Sequence, residues 1–405
     1  MSRTSSTEVA GRSRASAAVF WRSQLSVLAT AALLIACASA PVVTQSQLGS
    51  ERITAEMLLT TSPLVGGTPV PELETVDILE LTPEMKAFLD DHMTDRQEER
   101  DRLRALIYAV IVEGTFELVY DESTRTAGDT FRDRRGNCLS FTNMFIAMAR
   151  YMGLEAHYQE VEVPPDWSLN GEAFLLSKHI NALLELSYGE RIVDFNVYDF
   201  KMTFDKNVVT DRRARAHYFN NIGVEHLLGG DNALAVANFR QSLHEDAGFT
   251  PAWINLGILY RREGHPEYAE AAYLQALRTD RRNLVAMSNL ANLYEAEGLT
   301  EEAAKYHARV QTHRMENPYY RYLLANEAFV NGDYRTAIDH LEFAIDKRDN
   351  EDRFLSLMSM SYLMSGDRES AQYWMKKAEV AAREDESKRR YHNKLELLLG
   401  HDPDD

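Results

Sequence analysis

Three side chains carry the types and spacing of a nucleophilic site: Cys138, His179 and Asp194. In "RRGNCLSFTNMFIAMARYMGL", Cys138 follows Gly136 and Asn137 and opens an apolar run. Phe141, Met144, Phe145, Met148 and Met152 then fall at helical spacing, and Gly153 closes the element. A thiol in a first helical turn sits where unpaired amides and the positive end of the helix dipole favour a thiolate. His179 begins one strand-like stretch, "HINALLELS", and Asp194 lies in the next, "ERIVDFN", with a turn around Tyr188 and Gly189. Antiparallel pairing of those strands brings imidazole and carboxylate side by side if the register sets them on one face. A helix start packed on that sheet would complete a Cys/His/Asp triad: the imidazole takes the thiol proton, and the carboxylate fixes its tautomer. The backbone amide of Cys138 is the first oxyanion donor to consider, and the Asn137 side chain is a second candidate. The competing reading makes Cys138 a small buried hydrophobe.

His157 is the other histidine near this region, and its place in a strand fits a core or surface role. A zinc set of Cys138, His157, His179 and Asp194 has the ligand types but neither CxxC nor HxxxH spacing, so no metal is expected. GxGxxG and P-loop patterns are absent, and no nucleotide or other cofactor is expected.

The elements that must position these residues are readable on both sides. "TPEMKAFLDDHM" starts with Thr82 as an N-cap and Pro83 at the first helical position. Apolar residues at 103, 106, 107, 110 and 111 give a second helix one buried stripe. The polar segment "YDESTRTAGDTFRDRRGN" reads as a loop delivering the chain to Cys138, with Asp129 and Asp133 solvating it. "LEAHYQEVEV" reads as a strand that Pro164 and Pro165 end.

Around the cysteine the chain resembles the transglutaminase-like superfamily. The shared pattern is a basic residue, glycine, any residue, cysteine, then an apolar helix ending in R-x-x-G-[LI]. It stands here as Arg134/Arg135, Gly136, Asn137, Cys138, and Arg150, Tyr151, Met152, Gly153, Leu154. His179 and Asp194 match the family's histidine and aspartate over a resemblance spanning about residues 100 to 200. Asn181 stands where many relatives have an aromatic, and Phe195 where they often have proline. The resemblance implies an α+β fold and attack of a thiol on a carbonyl, with an acyl-thiol intermediate passed to water or an amine. Relatives include peptidases, amidases, deamidases and inactive scaffolds.

In the C-terminal half, glycine recurs at 230, 264, 298, 332 and 366, and alanine five residues after each. That 34-residue period belongs to tetratricopeptide repeats, which stack helical hairpins into a solenoid. The inner positions of the fourth repeat, Tyr319, Tyr322, Asn326, Phe329 and Val330, and of the second, Ile254, Ile258, Arg261 and Arg262, are more apolar than a solvated face needs. A protein or peptide partner in the repeat groove is expected, or else the chain's own N-terminal part covering it.

At the front, Arg12, Arg14 and Arg22 precede the apolar run "LSVLATAALLIACASA", which suits an export signal better than a bilayer span. Leu34, Ile35, Ala36 and Cys37 resemble the lipobox of bacterial lipoproteins, which implies lipid on Cys37 and, with Ala38 following, outer-membrane sorting facing the periplasm. Cys138 is then the only thiol left, so no disulfide can form within the chain. The net charge of -18 and pI near 5.2 over 405 residues argue against nucleic acid as a partner.

The expected organisation is a signal at 1–36, tether and loop at 37–79, a transglutaminase-like domain at 80–212, five repeats at 213–386 and a capping helix and tail at 387–405. The expected function is thiol-dependent acyl transfer or amide hydrolysis on a peptide or protein recruited by the repeats. The alternative is a catalytically inactive lipoprotein scaffold.

Overall fold

A computed structural model describes residues 46–60, 70–93, 98–111, 116–161, 179–195, 206–382 and 385–400. The expected signal, Cys37 and the lipobox lie outside them. After a short 3-10 turn at Ser50–Arg52, the N-terminal half contains α1 (Ala55–Thr60), α2 (Pro83–Met93), α3 (Glu99–Ile111), β1 (Val119–Tyr120), α4 (Ala127–Asp133), β2 (Arg135–Gly136) and α5 (Cys138–Tyr151). Strands β3 (Glu155–Val161), β4 (His179–Leu186), β5 (Gly189–Val193) and β6 (Lys206–Val209) follow. They form one antiparallel sheet in the order β5-β4-β3-β6, while β1 and β2 pair in parallel beside it.

Helix α5 is the centre of this half. Every residue from Leu139 to Ala149 is buried, the apolar ones by packing and the polar Ser140, Thr142 and Asn143 by hydrogen bonds with Arg125 N, Ile180 O and Arg125 O. Met144, Phe145 and Met148 meet Tyr158, Ile180, Ala182 and Leu184 of the sheet, and Met85, Leu89, Leu103 and Leu106 of α2 and α3 close the cluster. Each such fully buried apolar side chain contributes about 1.5–3 kcal/mol. The helix ends where Gly153 turns left-handed, φ 71°, and Leu154 N donates back to Ala149 O at 3.0 Å.

The segment expected to be loop before Cys138 contains α4. Its signal is a local Thr-x-x-Asp cap: Asp129 N donates to Thr126 Oγ1 at 3.1 Å, and Thr126 Oγ1 donates to Asp129 Oδ2 at 2.8 Å. Asp129 and Asp133 are therefore structural, the latter 2.8 Å from Arg125.

The C-terminal half pairs α6 (Asp211–Gly229) with α7 (Asn232–Glu245), α8 (Thr250–Arg262) with α9 (Pro266–Thr279), α10 (Leu284–Ala296) with α11 (Thr300–Glu316), α12 (Pro318–Val330) with α13 (Tyr334–Lys347), and α14 (Asp352–Met364) with α15 (Arg368–Ala381). A final helix, α16 (Asp385–Leu399), follows. The five periodic glycines all take left-handed φ between 75° and 93°, the conformation that turns each first helix into its second. The five periodic alanines are buried. Helix α16 buries Tyr391, Leu395 and Leu398 against the last hairpin.

Two boundaries differ from expectation. The stretch 37–79 is not all tether and loop. Leu58 joins the core of the first three repeats, and the fully buried carboxylate of Glu270 on α9 accepts from Ser46 Oγ (2.8 Å), Gln47 N (2.6 Å), Leu48 N and Tyr294 Oη (2.6 Å). Further on, Leu73, Val76, Ile78 and Leu79 pack into the α/β core. Secondly, α6 is shared: Ala214, Tyr218 and Phe219 belong to the α/β core, although α6 is the first helix of the array. Arg150 grips Asp211 with two bonds, 2.6 and 2.9 Å. Glu160 of β3 accepts from Arg213 at 2.6 Å and lies 2.7 Å from His217 Nε2. The Glu160 cluster is buried, and a buried ion pair is costly to leave half-made, so it fixes how the two halves meet, with the more exposed Arg150–Asp211 pair beside it.

Candidate active site

Cys138 is the first residue of α5, and its thiol is half-buried. The turn that presents it is heavily bonded. Asn137 caps the helix, its Oδ1 accepting from Ser140 N at 3.0 Å. Ser140 Oγ accepts from Arg125 N (2.9 Å) and donates to Ser123 O (3.2 Å). Gly136 has φ 152°, and a Cβ there would lie 2.5 Å from Ser140 Cβ, so this position has no room for a side chain.

His179 opens β4, and Asp194 immediately follows β5. The ladder pairs Ala182 with Val193. Continued by one residue, it sets Asp194 opposite Asn181, with His179 two residues along the same strand. The contacts follow: His179 Nε2 lies 2.7 and 2.9 Å from the two Asp194 oxygens, and Asn181 Nδ2 donates to Asp194 Oδ2 at 2.8 Å. The Cys138 side chain hydrogen-bonds the same ring. Since a carboxylate only accepts, Nε2 carries a proton, and Nδ1 is the nitrogen left for sulfur. The three residues are thus in line: thiol, imidazole, carboxylate.

The pair is almost dry, with 9% of the His179 side chain and 8% of the Asp194 side chain exposed. Burial works against a charged ring, but the Asp194 hydrogen bond, then that of Cys138, and the charges of both outweigh it and hold the His179 pKa up to about 9. At neutral pH the ring is an imidazolium beside the sulfur.

The Asn137 side chain is not available as an oxyanion donor. Its amide donates to Thr124 Oγ1 at 2.8 Å and to Glu122 O at 3.4 Å, while its oxygen is the helix cap. The backbone amide of Cys138, a first-turn N–H with no intrahelical acceptor, is the donor that remains from the two considered. His157 does not join the site. It faces Leu183 in the ladder, four residues along β3 from the Val161–His179 pair, and its Nε2 lies 3.5 Å from Glu155 and 3.8 Å from Glu185. The four-residue zinc set therefore does not assemble.

Both departures from the family pattern have work in the fold. Asn181 is buried and orients the carboxylate, and Phe195 packs on Phe141 and Phe145 of α5 with ring centroids 5.5 and 6.0 Å apart. Asn181 went unassigned in the sequence. Its signal was a polar residue two positions after His179, on the same strand face in an otherwise apolar run.

Among the repeat residues, Tyr322 stacks on Phe354 at 5.1 Å, Tyr319 meets that ring edge-on at 5.4 Å, and Phe329 packs against Tyr334 at 5.5 Å. These aromatics hold neighbouring helices, whereas Asn326 and Val330 are exposed. Ile254 and Ile258, expected on an open inner face, are fully buried in the cluster that Leu58 joins.

The profile of the transglutaminase-like superfamily matches residues 86–182, a stretch that holds Cys138 and His179 and stops short of Asp194. The tetratricopeptide repeat profile matches residues 252–285 and 286–319. No curated protein matches the chain. Among solved structures, the chain is similar to MamA (20% identity, 44% of this chain and 95% of that one, TM-score 0.24). It is also similar to PilF of Pseudomonas aeruginosa (16%, 47% and 95%, TM-score 0.25) and to a tetratricopeptide repeat protein of Parabacteroides merdae (17%, 46% and 74%, TM-score 0.24). The chain carries a transglutaminase-like domain followed by tetratricopeptide repeats.

Proposed function

We propose that this chain is a thiol-dependent acyl-transfer enzyme acting on an amide of a peptide or protein, with the repeats recruiting that substrate or a partner. The observation that carries the reading is His179 held between the Cys138 thiol and the Asp194 carboxylate. In the first half-reaction the sulfur attacks the amide carbonyl as the thiolate, paired with the His179 imidazolium, and forms a carbon–sulfur bond. The oxyanion is met by the Cys138 backbone amide. The tetrahedral adduct expels the amine as the carbon–nitrogen bond breaks, and the imidazolium hands its proton to that amine. A thioester remains. Water or a second amine then attacks it, giving its proton to His179, and the Cys138 sulfur leaves. Asp194 keeps Nε2 protonated throughout, so that Nδ1 is the atom that exchanges the proton.

Asn181 supports this reading against an inert scaffold, because a buried amide spent on orienting a carboxylate has an obvious use in a working triad. For the address, we propose export and lipid attachment at Cys37 in the outer membrane, facing the periplasm. Its support is the four-residue lipobox at the end of the apolar run.

An activated acyl ester tests the chemistry without knowledge of the natural substrate. With p-nitrophenyl acetate, a burst of about one equivalent of nitrophenol per chain is expected, with the acetyl group found on Cys138 by mass spectrometry. The Cys138→Ser chain should give no burst. A burst that survives Cys138→Ser, or none at all from the unaltered chain, would overturn the reading.

A further inference from the structure

The turn presenting the nucleophile is held from two sides, and one of them is the repeat array. Residues 122–125 run beside the start of α5. Ser123 O accepts from Asn137 N at 3.1 Å and from Ser140 Oγ at 3.2 Å, and Thr124 Oγ1 accepts from Asn137 Nδ2 at 2.8 Å. Thr124 is 5% exposed, so its own amide must find a partner inside the protein. That partner is Glu225: Thr124 N donates to Glu225 Oε1 at 2.8 Å. Glu225 lies on α6, a hundred residues further along the chain, in the first helix of the first repeat. A continuous path of short contacts therefore runs from the array to the thiol: Glu225, Thr124, the Asn137 cap, Cys138.

We propose that Glu225 is a positioning residue for the Cys138 nucleophile, so that the first repeat helix is part of the catalytic scaffold rather than an appended binding module. The inference rests on the reading of Cys138 as a nucleophile. It also explains an otherwise expensive choice: Glu225 is partly buried, and burial, the largest influence on it, raises its carboxyl above the ordinary range against the pull of the Thr124 amide. A residue that only filled space there would not need a carboxyl group. An acceptor for a buried amide does.

The test compares Glu225→Ala, which removes the acceptor, with Glu225→Gln, which keeps an oxygen for Thr124 N. The readout is the second-order rate of Cys138 alkylation by iodoacetamide in the full chain, taken alongside the thermal midpoint. Glu225→Ala is expected to slow alkylation about fivefold to tenfold, the size of one lost buried hydrogen bond felt at the reacting group. Glu225→Gln is expected to restore the rate to within about twofold. A purely structural role would lower the midpoint without this split between the two variants. If Glu225→Ala fails to fold, Thr124→Val, which keeps the Thr124 amide but removes the hydroxyl that accepts from Asn137 and bonds Glu225, is expected to slow alkylation to the same degree. Glu225→Ala or Thr124→Val reacting at the unaltered rate, or Glu225→Gln as slow as Glu225→Ala, would overturn the proposal. The nucleophile reading fails separately: the unaltered chain would then react no faster than a free thiol, whatever stands at 225.

Discussion

Alkylation of Cys138 by iodoacetamide at neutral pH is expected to slow by about tenfold or more when His179 is replaced by alanine. A thiol without a cationic neighbour is only a few per cent thiolate at pH 7. In the folded chain the sulfur shares a hydrogen bond with a ring whose pKa is held up to about 9, so the positive charge stands beside the sulfur through the whole neutral range. Removing the ring removes that charge and the base together. Stopped-flow or mass-spectrometric rates on both chains, with the thermal midpoint as control, measure the effect. Equal rates would mean that the sulfur does not feel the imidazole.

The second large effect is expected at Asp194. Asp194→Asn preserves shape but replaces a group that only accepts with one that can also donate. The single amide oxygen must now serve both the Asn181 amide and the His179 ring, which the carboxylate served with two oxygens. If the new amide donates to Nε2, the ring proton moves to Nδ1, the nitrogen that has to accept from sulfur. A wrong tautomer at this step is expected to cost about 10²–10⁴ in acylation rate, the scale of general acid–base catalysis.

The same substitution has a signature in stability. His179 has a folded pKa of about 9 against an ordinary 6.5. The stability it contributes is complete below about pH 6.5 and is lost as the pH rises through 9. The unaltered chain should therefore exceed Asp194→Asn most at pH 6, less at pH 8, and least above pH 9. Denaturant titrations at those three values check it, and a difference that grows with pH would contradict the assignment.

Much of the site was legible because its parts are local. A glycine, a cap and an apolar run around Cys138 announce a helix start, and two strand patterns joined at Tyr188 and Gly189 announce the hairpin that pairs His179 with Asp194. The 34-residue spacing of glycine and alanine announced the array in the same way. The missed features depend on partners far along the chain. Glu225 looks like any charged residue on a repeat helix until Thr124 is seen beneath it. Asn181 interrupts an apolar strand, yet its use depends on which residue of β5 lies opposite. Glu270 gives no local sign that it will bind residues 46 to 48. Strand β6 also escaped notice: "KNVV" is a four-residue strand at the sheet edge, half polar, and only pairing with β3 makes it one. Helix α4 is the exception, since the Thr126 and Asp129 cap is a local signal within a segment whose polarity suggests loop. Asn137 failed as an oxyanion donor for a related reason: the residue before a helix start is claimed first by the unpaired amides of the helix itself.

The central claim is that His179 stands charged between Cys138 and Asp194, and an NMR titration of the His179 ring protons in the full chain tests it most directly. A midpoint near 9, falling when either Cys138 or Asp194 is replaced, is the expected result. A midpoint at or below 6.5, unmoved by those replacements, would mean that the three side chains do not act together.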